Sequence, residues 1–153
     1  FGYMLMDVRY KNGTVECKTW SELAATSALI RMTAEEKGIP QSELDGEKVF
    51  ALAESGDEAA QSAIDRFYFS LAHGIFNLQY AYDPEKIILG GAISNRPDFV
   101  DEINKRLSVL LSLVPIAKVQ PVVATCQFKN DANLLGALYH YLERRGELGE
   151  ASG

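Results

Sequence analysis

Cysteine and histidine are scarce in these 153 residues: Cys17, Cys126, His73 and His140 are the whole supply. A disulfide framework needs paired, patterned cysteines, and a structural zinc site needs four nitrogen or sulfur ligands at close spacing. Neither can be gathered from positions so far apart, so the chain is expected to hold no zinc and to suit a reducing, cytoplasmic setting. Long apolar runs are absent too. Nothing approaches the roughly 18 residues needed to span a bilayer, and no signal-peptide pattern opens the chain, so no membrane contact is expected. Cations are outnumbered, with 15 Lys and Arg against 21 Asp and Glu, a net charge of -6. That balance argues against direct nucleic-acid contact, which needs clustered basic residues. Walker A and Gly-x-Gly-x-x-Gly patterns are missing as well, which removes the P-loop and Rossmann readings.

What remains is ordinary for a folded domain: 47% apolar and 24% charged residues, in a length that suits one domain with a sizeable core. Gly2 to Tyr10 reads as a strand, and Lys11-Asn12-Gly13-Thr14 as a hairpin turn, since Asn-Gly adopts positive φ readily. The spacing predicts a helix from after Thr19 to about Lys37, stopped by Gly38 and Pro40. A short helix over Ser42 to Glu54 follows, broken at Ser55-Gly56-Asp57. Ala60, Ile64, Phe67, Leu71, Ile75 and Leu78 recur at steps of three and four, the period of a buried helical face, and predict a long helix over Glu58 to Tyr80. Gly74 lies inside it and implies the close approach of another backbone. Next come a strand at Ile87 to Leu89, a helix from about Pro97 to Leu113, a strand region over Val119 to Phe128, and a last helix from Asp131 to about Arg145. Gly146 to Gly153 reads as a frayed tail. Strands alternating with helices mean α/β, with no second domain.

The most informative run is Asp83-Pro84-Glu85-Lys86-Ile87-Ile88-Leu89-Gly90-Gly91-Ala92-Ile93-Ser94. Ligands of open α/β sheets bind outside the carboxyl ends of strands, and a glycine pair there lets backbone approach a ligand where a Cβ would clash. The bland alternative is a tight strand-to-helix turn. Leu71-Ala72-His73-Gly74-Ile75-Phe76-Asn77-Leu78 leads into that run. Together they resemble the ROK family (repressors, uncharacterised frames and sugar kinases), where a helix ending in a Gly-x-x-Asn-Leu pattern precedes "nPe.IvlGG". Asn130-Asp131-Ala132-Asn133-Leu134-Leu135-Gly136-Ala137 looks like the family's closing helix, which commonly reads "A.l.GA". Phe1-Gly2-Tyr3-Met4 resembles the end of its Glu-x-Gly-His sugar motif, with tyrosine in place of histidine.

The resemblance covers only the carboxyl half of such a protein and implies a ribonuclease-H-like fold of the actin and hexokinase type, a small sheet flanked by helices. The family carries its Asp-x-Gly-x-Thr phosphate loop and its catalytic Asn-Asp pair in the other half, and Asn130-Asp131 here belongs to the closing-helix motif instead. With Phe1 standing where an initiator methionine would, the chain reads as cut or as a fragment. No catalytic residue is therefore assigned. By resemblance, Gly90, Gly91 and Ala92 belong to an adenosine-binding surface, with Asn133 and Gly136 at its border unless a first turn and a packing glycine explain them. Tyr3 and Glu22 would belong to the sugar site. A carboxylate suits two sugar hydroxyls, yet Thr19-Trp20-Ser21-Glu22 also fits a capping box, and both roles stay open. Family members that hold zinc carry a Cys-x-Cys-x-x-x-x-Cys cluster, where this chain has only Cys17. His73 and His140 read as helix-packing residues and Trp20 as a packing residue. The implied activity is ATP- and Mg²⁺-dependent phosphorylation of a hexose or hexose derivative by the intact protein, with the amino-terminal lobe as partner and a homodimer possible. The alternative is the sugar-sensing lobe of a ROK-type transcriptional repressor.

Overall fold

The computed structural model describes residues 1–128 and 131–146. Phe1 to Met4 form a turn, with the Met4 amide donating to the Phe1 carbonyl at 2.9 Å, so the first strand begins later than its apolar run. β1 (Leu5–Lys11) pairs antiparallel with β2 (Thr14–Thr19). Asn12 at φ 50° and Gly13 at φ 79° make the turn between them. Positive φ at both central residues is the geometry that matches the twist of the flanking strands.

The spacing after Thr19 predicts a single helix, but the chain makes two. α1 (Trp20–Ala24) ends at Ala25, whose ψ of 157° is extended, and α2 (Thr26–Lys37) restarts at once and closes on Gly38 at φ 66°. A 3₁₀ turn at Gln41–Glu43 precedes α3 (Gly46–Glu54), which starts four residues later than its apolar pattern suggests. Asp45 sets that start by accepting the Lys48 amide at 2.8 Å.

α4 (Glu58–Tyr82) is the spine. Asp57 caps it by accepting the Ala60 amide at 2.9 Å and pairs with Lys37 at the end of α2. Its buried side chains Ala60, Ala63, Phe67, Leu71 and Ile75 meet Leu29 and Met32 of α2 and Val49 and Phe50 of α3. Phe99, Ile103 and Leu107 close the core from α5 (Phe99–Leu113). That helix begins two residues after Pro97, with Asp98 at the N-cap position. Gly74 is buried, but its close neighbour is the Trp20 indole rather than a backbone.

β3 (Ile87–Leu89) lies parallel to β4 (Val123–Thr125), in register Ile87 with Val123. Only these three residues of the expected Val119 to Phe128 region are strand. The architecture is thus α/β, with two separate two-stranded sheets flanked by helices. α6 (Ala132–Arg145) ends on Gly146 at φ 66° and buries no side chain. Asn130 and the tail beyond Gly146 lie outside the described residues.

Candidate functional site

β3 ends at Leu89 and delivers the chain into the glycine pair. Gly91 adopts φ 97° and ψ 167°, a conformation that side-chain-bearing residues rarely take. A 3₁₀ turn, Ala92–Asn95, follows at once. The Gly91 carbonyl accepts the Ser94 amide at 3.1 Å and the Ser94 hydroxyl at 2.7 Å, and Ser94 is buried. These bonds fix the turn. A Cβ built on Gly91 meets nothing within 4 Å among the described residues, so crowding by them does not explain the glycine, whereas its backbone angles do.

The turn aims Ala92, Ile93, Asn95 and Arg96 into a cavity of about 650 Å³. Its opposite wall is the first part of α3, from Asp45 through Glu47 to Phe50, with Thr26 of α2 beside it. The Arg96 guanidinium carbon stands 3.8 Å from the centre of the Phe50 ring, an arrangement that stabilises a cation against an aromatic face. Arg96 also donates to Asp98 at 3.1 Å and pairs with Glu54 at 3.5 Å. Its charge is therefore matched before any ligand arrives. Asp45 is engaged by the Lys48 amide, while Asn95 and Glu47 offer an amide and a carboxylate with no hydrogen-bond partner among the described residues.

Of the expected nucleotide residues, Ala92 lines this cavity, and Gly90 and Gly91 form the exposed turn that leads to it. Asn133 and Gly136 are exposed on α6 and do not line it. A Cβ at Gly136 would meet nothing within 4 Å among the described residues, so packing against them does not account for that glycine.

Tyr3 and Glu22 come from segments that the fold ties together. The Ser21 amide donates to the Gly2 carbonyl at 2.9 Å and the Trp20 amide to the Met4 carbonyl at 2.8 Å. The capping box is formed: Oε2 of Glu22 accepts from the Thr19 amide at 2.8 Å and the Thr19 hydroxyl at 2.7 Å. Those donors hold the Glu22 carboxyl below its ordinary value. Because both bonds converge on Oε2, Oε1 is left for another donor. Tyr3 is 93% exposed, and its ring faces solvent.

His73 is half-buried on α4, as a packing residue would be. His140 is not: it is exposed on α6, with Nδ1 3.7 Å from Glu143. Trp20 packs against the core and its indole N–H donates to the Ser70 carbonyl at 3.0 Å. Among the described residues, no group of three or more His, Cys, Asp or Glu stands where it could hold a metal, and no helix is long and apolar enough to cross a membrane.

Sequence spacing does not reveal Thr26, Glu47, Phe50, Asn95 or Arg96 as neighbours. The polar run Ser94-Asn95-Arg96 directly after the glycine pair is the one local signal, since it sits at a strand's carboxyl end. Nothing local marks Asp45 to Phe50 beyond a helix cap.

Known proteins place this geometry in a family. The ROK family profile matches residues 3–144. The β-glucoside kinase of Listeria monocytogenes is 32% identical over 145 residues, covering 94% of this chain and 46% of that protein. A ROK family protein from Streptococcus pneumoniae, solved in complex with sucrose, superposes with a TM-score of 0.82 at 35% identity, over 97% of this chain and 49% of that one. The ROK hexokinase of Thermus thermophilus gives a TM-score of 0.68 at 25% identity, over 84% of this chain and 42% of that one. The chain spans about half the length of these relatives. Profile, relatives and superposition agree with the strand, glycine pair and flanking helices described above: the chain belongs to the ROK family.

Proposed function

We propose that this chain is the carboxyl-terminal lobe of an ATP-dependent hexose kinase, supplying the adenosine-binding surface and part of the sugar site. The observation that carries the reading is the cavity beside Ala92, opened by the positive-φ turn at Gly91 at the end of β3. The similar β-glucoside kinase and hexokinase support a kinase over a sugar-sensing repressor lobe. In the intact protein a sugar hydroxyl oxygen would form a bond to the γ-phosphorus of ATP as the bond to ADP breaks. The hydroxyl proton would pass to a base outside these residues. Such transfer depends mostly on positioning and charge neutralisation. Glu22 Oε1 and the Tyr3 hydroxyl would orient the sugar, and the turn at Gly90 to Ala92 would seat the nucleoside. Mg²⁺ would accompany the ATP and help neutralise the charge of its phosphates. Zinc has no part in this reading.

The test is Gly91→Val in the intact protein that carries this sequence. Strain at φ 97° should cost about 1–3 kcal/mol of stability. ATP affinity should fall further than hexose affinity, because the new side chain projects into open space beside the cavity. Unchanged ATP affinity in a folded variant would remove Gly91 from the nucleotide site. The 153-residue chain alone should not phosphorylate glucose or an N-acetylated hexosamine, and turnover at enzymatic rates would show the catalytic residues to be misplaced.

A further inference from the structure

The lining of the Ala92 cavity carries more information than its position. The one guanidinium that the described residues place in it, Arg96, is matched by Asp98 and Glu54 and rests on Phe50. Asp45 and Glu47 add two carboxylates on the facing wall. The start of α3 is not an anion site, because Asp45 already caps it. A triphosphate placed here would meet negative charge with no unmatched cation among the described lining residues to offset it. A flat, uncharged, hydroxyl-bearing group meets the opposite situation. The Arg96 and Phe50 stack gives it a planar floor. Glu47 gives it a carboxylate with no partner among the described residues, whose two oxygens suit two adjacent hydroxyls.

We infer that Glu47 is the ribose-recognising residue of this lobe, its carboxylate accepting hydrogen bonds from the vicinal 2′- and 3′-hydroxyls of the nucleoside end of the phosphoryl donor. The inference rests on the reading of this cavity as the nucleotide site and adds to it an orientation and a selectivity. The nucleoside lies against α3, and the phosphates leave the cavity on the side away from Asp45 and Glu47. A 2′-deoxyribonucleotide forfeits one of the two bonds to Glu47 and leaves part of a carboxylate's hydrogen-bonding capacity unfilled.

The experiment measures binding of ATP and 2′-deoxy-ATP by calorimetry to the intact protein that carries this sequence, as wild type and as Glu47→Gln and Glu47→Ala. Glu47 is exposed in the first turn of α3, so both variants are expected to fold, and thermal midpoints check it. Wild type should prefer ATP over 2′-deoxy-ATP by about ten- to a hundredfold, the range of one hydrogen bond to a charged group. In Glu47→Ala the preference should shrink to less than about threefold, through loss of ATP affinity with 2′-deoxy-ATP affinity changed less. Glu47→Gln should fall between the two, since an amide keeps one acceptor. A purely structural role for Glu47 would weaken both nucleotides equally and leave the ratio intact, and that result overturns the inference while the nucleotide reading survives. Equal wild-type affinities for the two nucleotides overturn it as well. Binding of neither nucleotide to the folded protein would remove the nucleotide site itself, and this inference with it.

Discussion

Gly74 and Trp20 show how two residues more than fifty positions apart decide each other. A glycine inside a helix costs about 1 kcal/mol relative to alanine, and here the space it leaves is filled by the Trp20 indole, whose N–H reaches the Ser70 carbonyl at 3.0 Å. The sequence alone announces that something must approach Gly74 but not what, because an indole and a backbone make the same demand on a missing Cβ. Gly74→Ala should therefore destabilise by about 1–3 kcal/mol in spite of its better helix propensity, since the methyl overlaps the ring. Trp20 is the only tryptophan, so its fluorescence reports the displacement directly, and an unchanged denaturation midpoint would show that the indole moves aside freely. Glu22 makes a different demand, on pH. Its folded-state carboxyl lies below the ordinary glutamate value because Thr19 donates to it twice. A lowered carboxyl contributes stability that is present above the unfolded value and lost as pH falls through the folded one. The melting midpoint of wild type should thus exceed that of Glu22→Gln at neutral pH, with the gap closing below about pH 4. A gap that persists at pH 2 would mean that the cap does not depend on the charge.

Elements were legible where periodicity and punctuation agree. α4 follows its apolar steps from Glu58 and runs two residues past Tyr80, to Tyr82, and β3 is the Ile87 to Leu89 run itself. The break at Ala25 was not legible. Trp20 to Lys37 keeps a helical spacing of apolar residues throughout, and Ala25 is a good helix former, so local propensity does not encode its extended ψ. β2 was readable only as the far arm of the Asn12-Gly13 turn, since its residues are mostly exposed and bury no face. The candidate site divides in the same way. The turn at Gly91 is written into one stretch of chain, whereas the opposing wall on α3 is joined to it by the fold alone. The contact of α4 with α5 carries a prediction of its own. Arg106 of α5 donates to Asp65 of α4 at 2.7 Å and lies 5.2 Å from the centre of the Tyr68 ring. Tyr68 is 1% exposed, and its hydroxyl has no partner among the described residues. Burial pushes the phenol up to about 12. A buried hydroxyl without a partner is a cost, so Tyr68→Phe should be neutral or stabilise the protein by about 1 kcal/mol. Urea denaturation measures it, and a loss of more than about 1 kcal/mol would reveal a bond to the hydroxyl that holds the two helices together.

At the scale of the whole molecule, apolar surface is distributed unevenly. The core gathers around α4, while large apolar side chains stand exposed on the hairpin, at the edge of β3 and along α6. Ile87 and Leu89 turn their backbone groups toward β4, so alternation turns those of Ile88 toward the open side. Ile88 is 62% exposed. On α6, Leu134, Leu138 and Tyr141 follow one another at helical spacing, at 71%, 50% and 54% exposure. An amphipathic stripe of this kind usually faces a packed partner. The chain spans about half the length of its relatives, and the remaining lobe of the proposed kinase is the partner that would cover the stripe. Leu138→Glu separates the possibilities. In the 153-residue chain alone the substitution falls on an exposed surface and should shift stability by no more than about 0.5 kcal/mol. In the intact protein it should cost about 1.5–3 kcal/mol for the lost burial alone, with the desolvation of a charge adding to it. Paired thermal or chemical melts of the two lengths give the comparison. A small shift in both would mean that α6 stays in water in the complete protein. A large shift in the short chain would mean that α6 is packed within this lobe already.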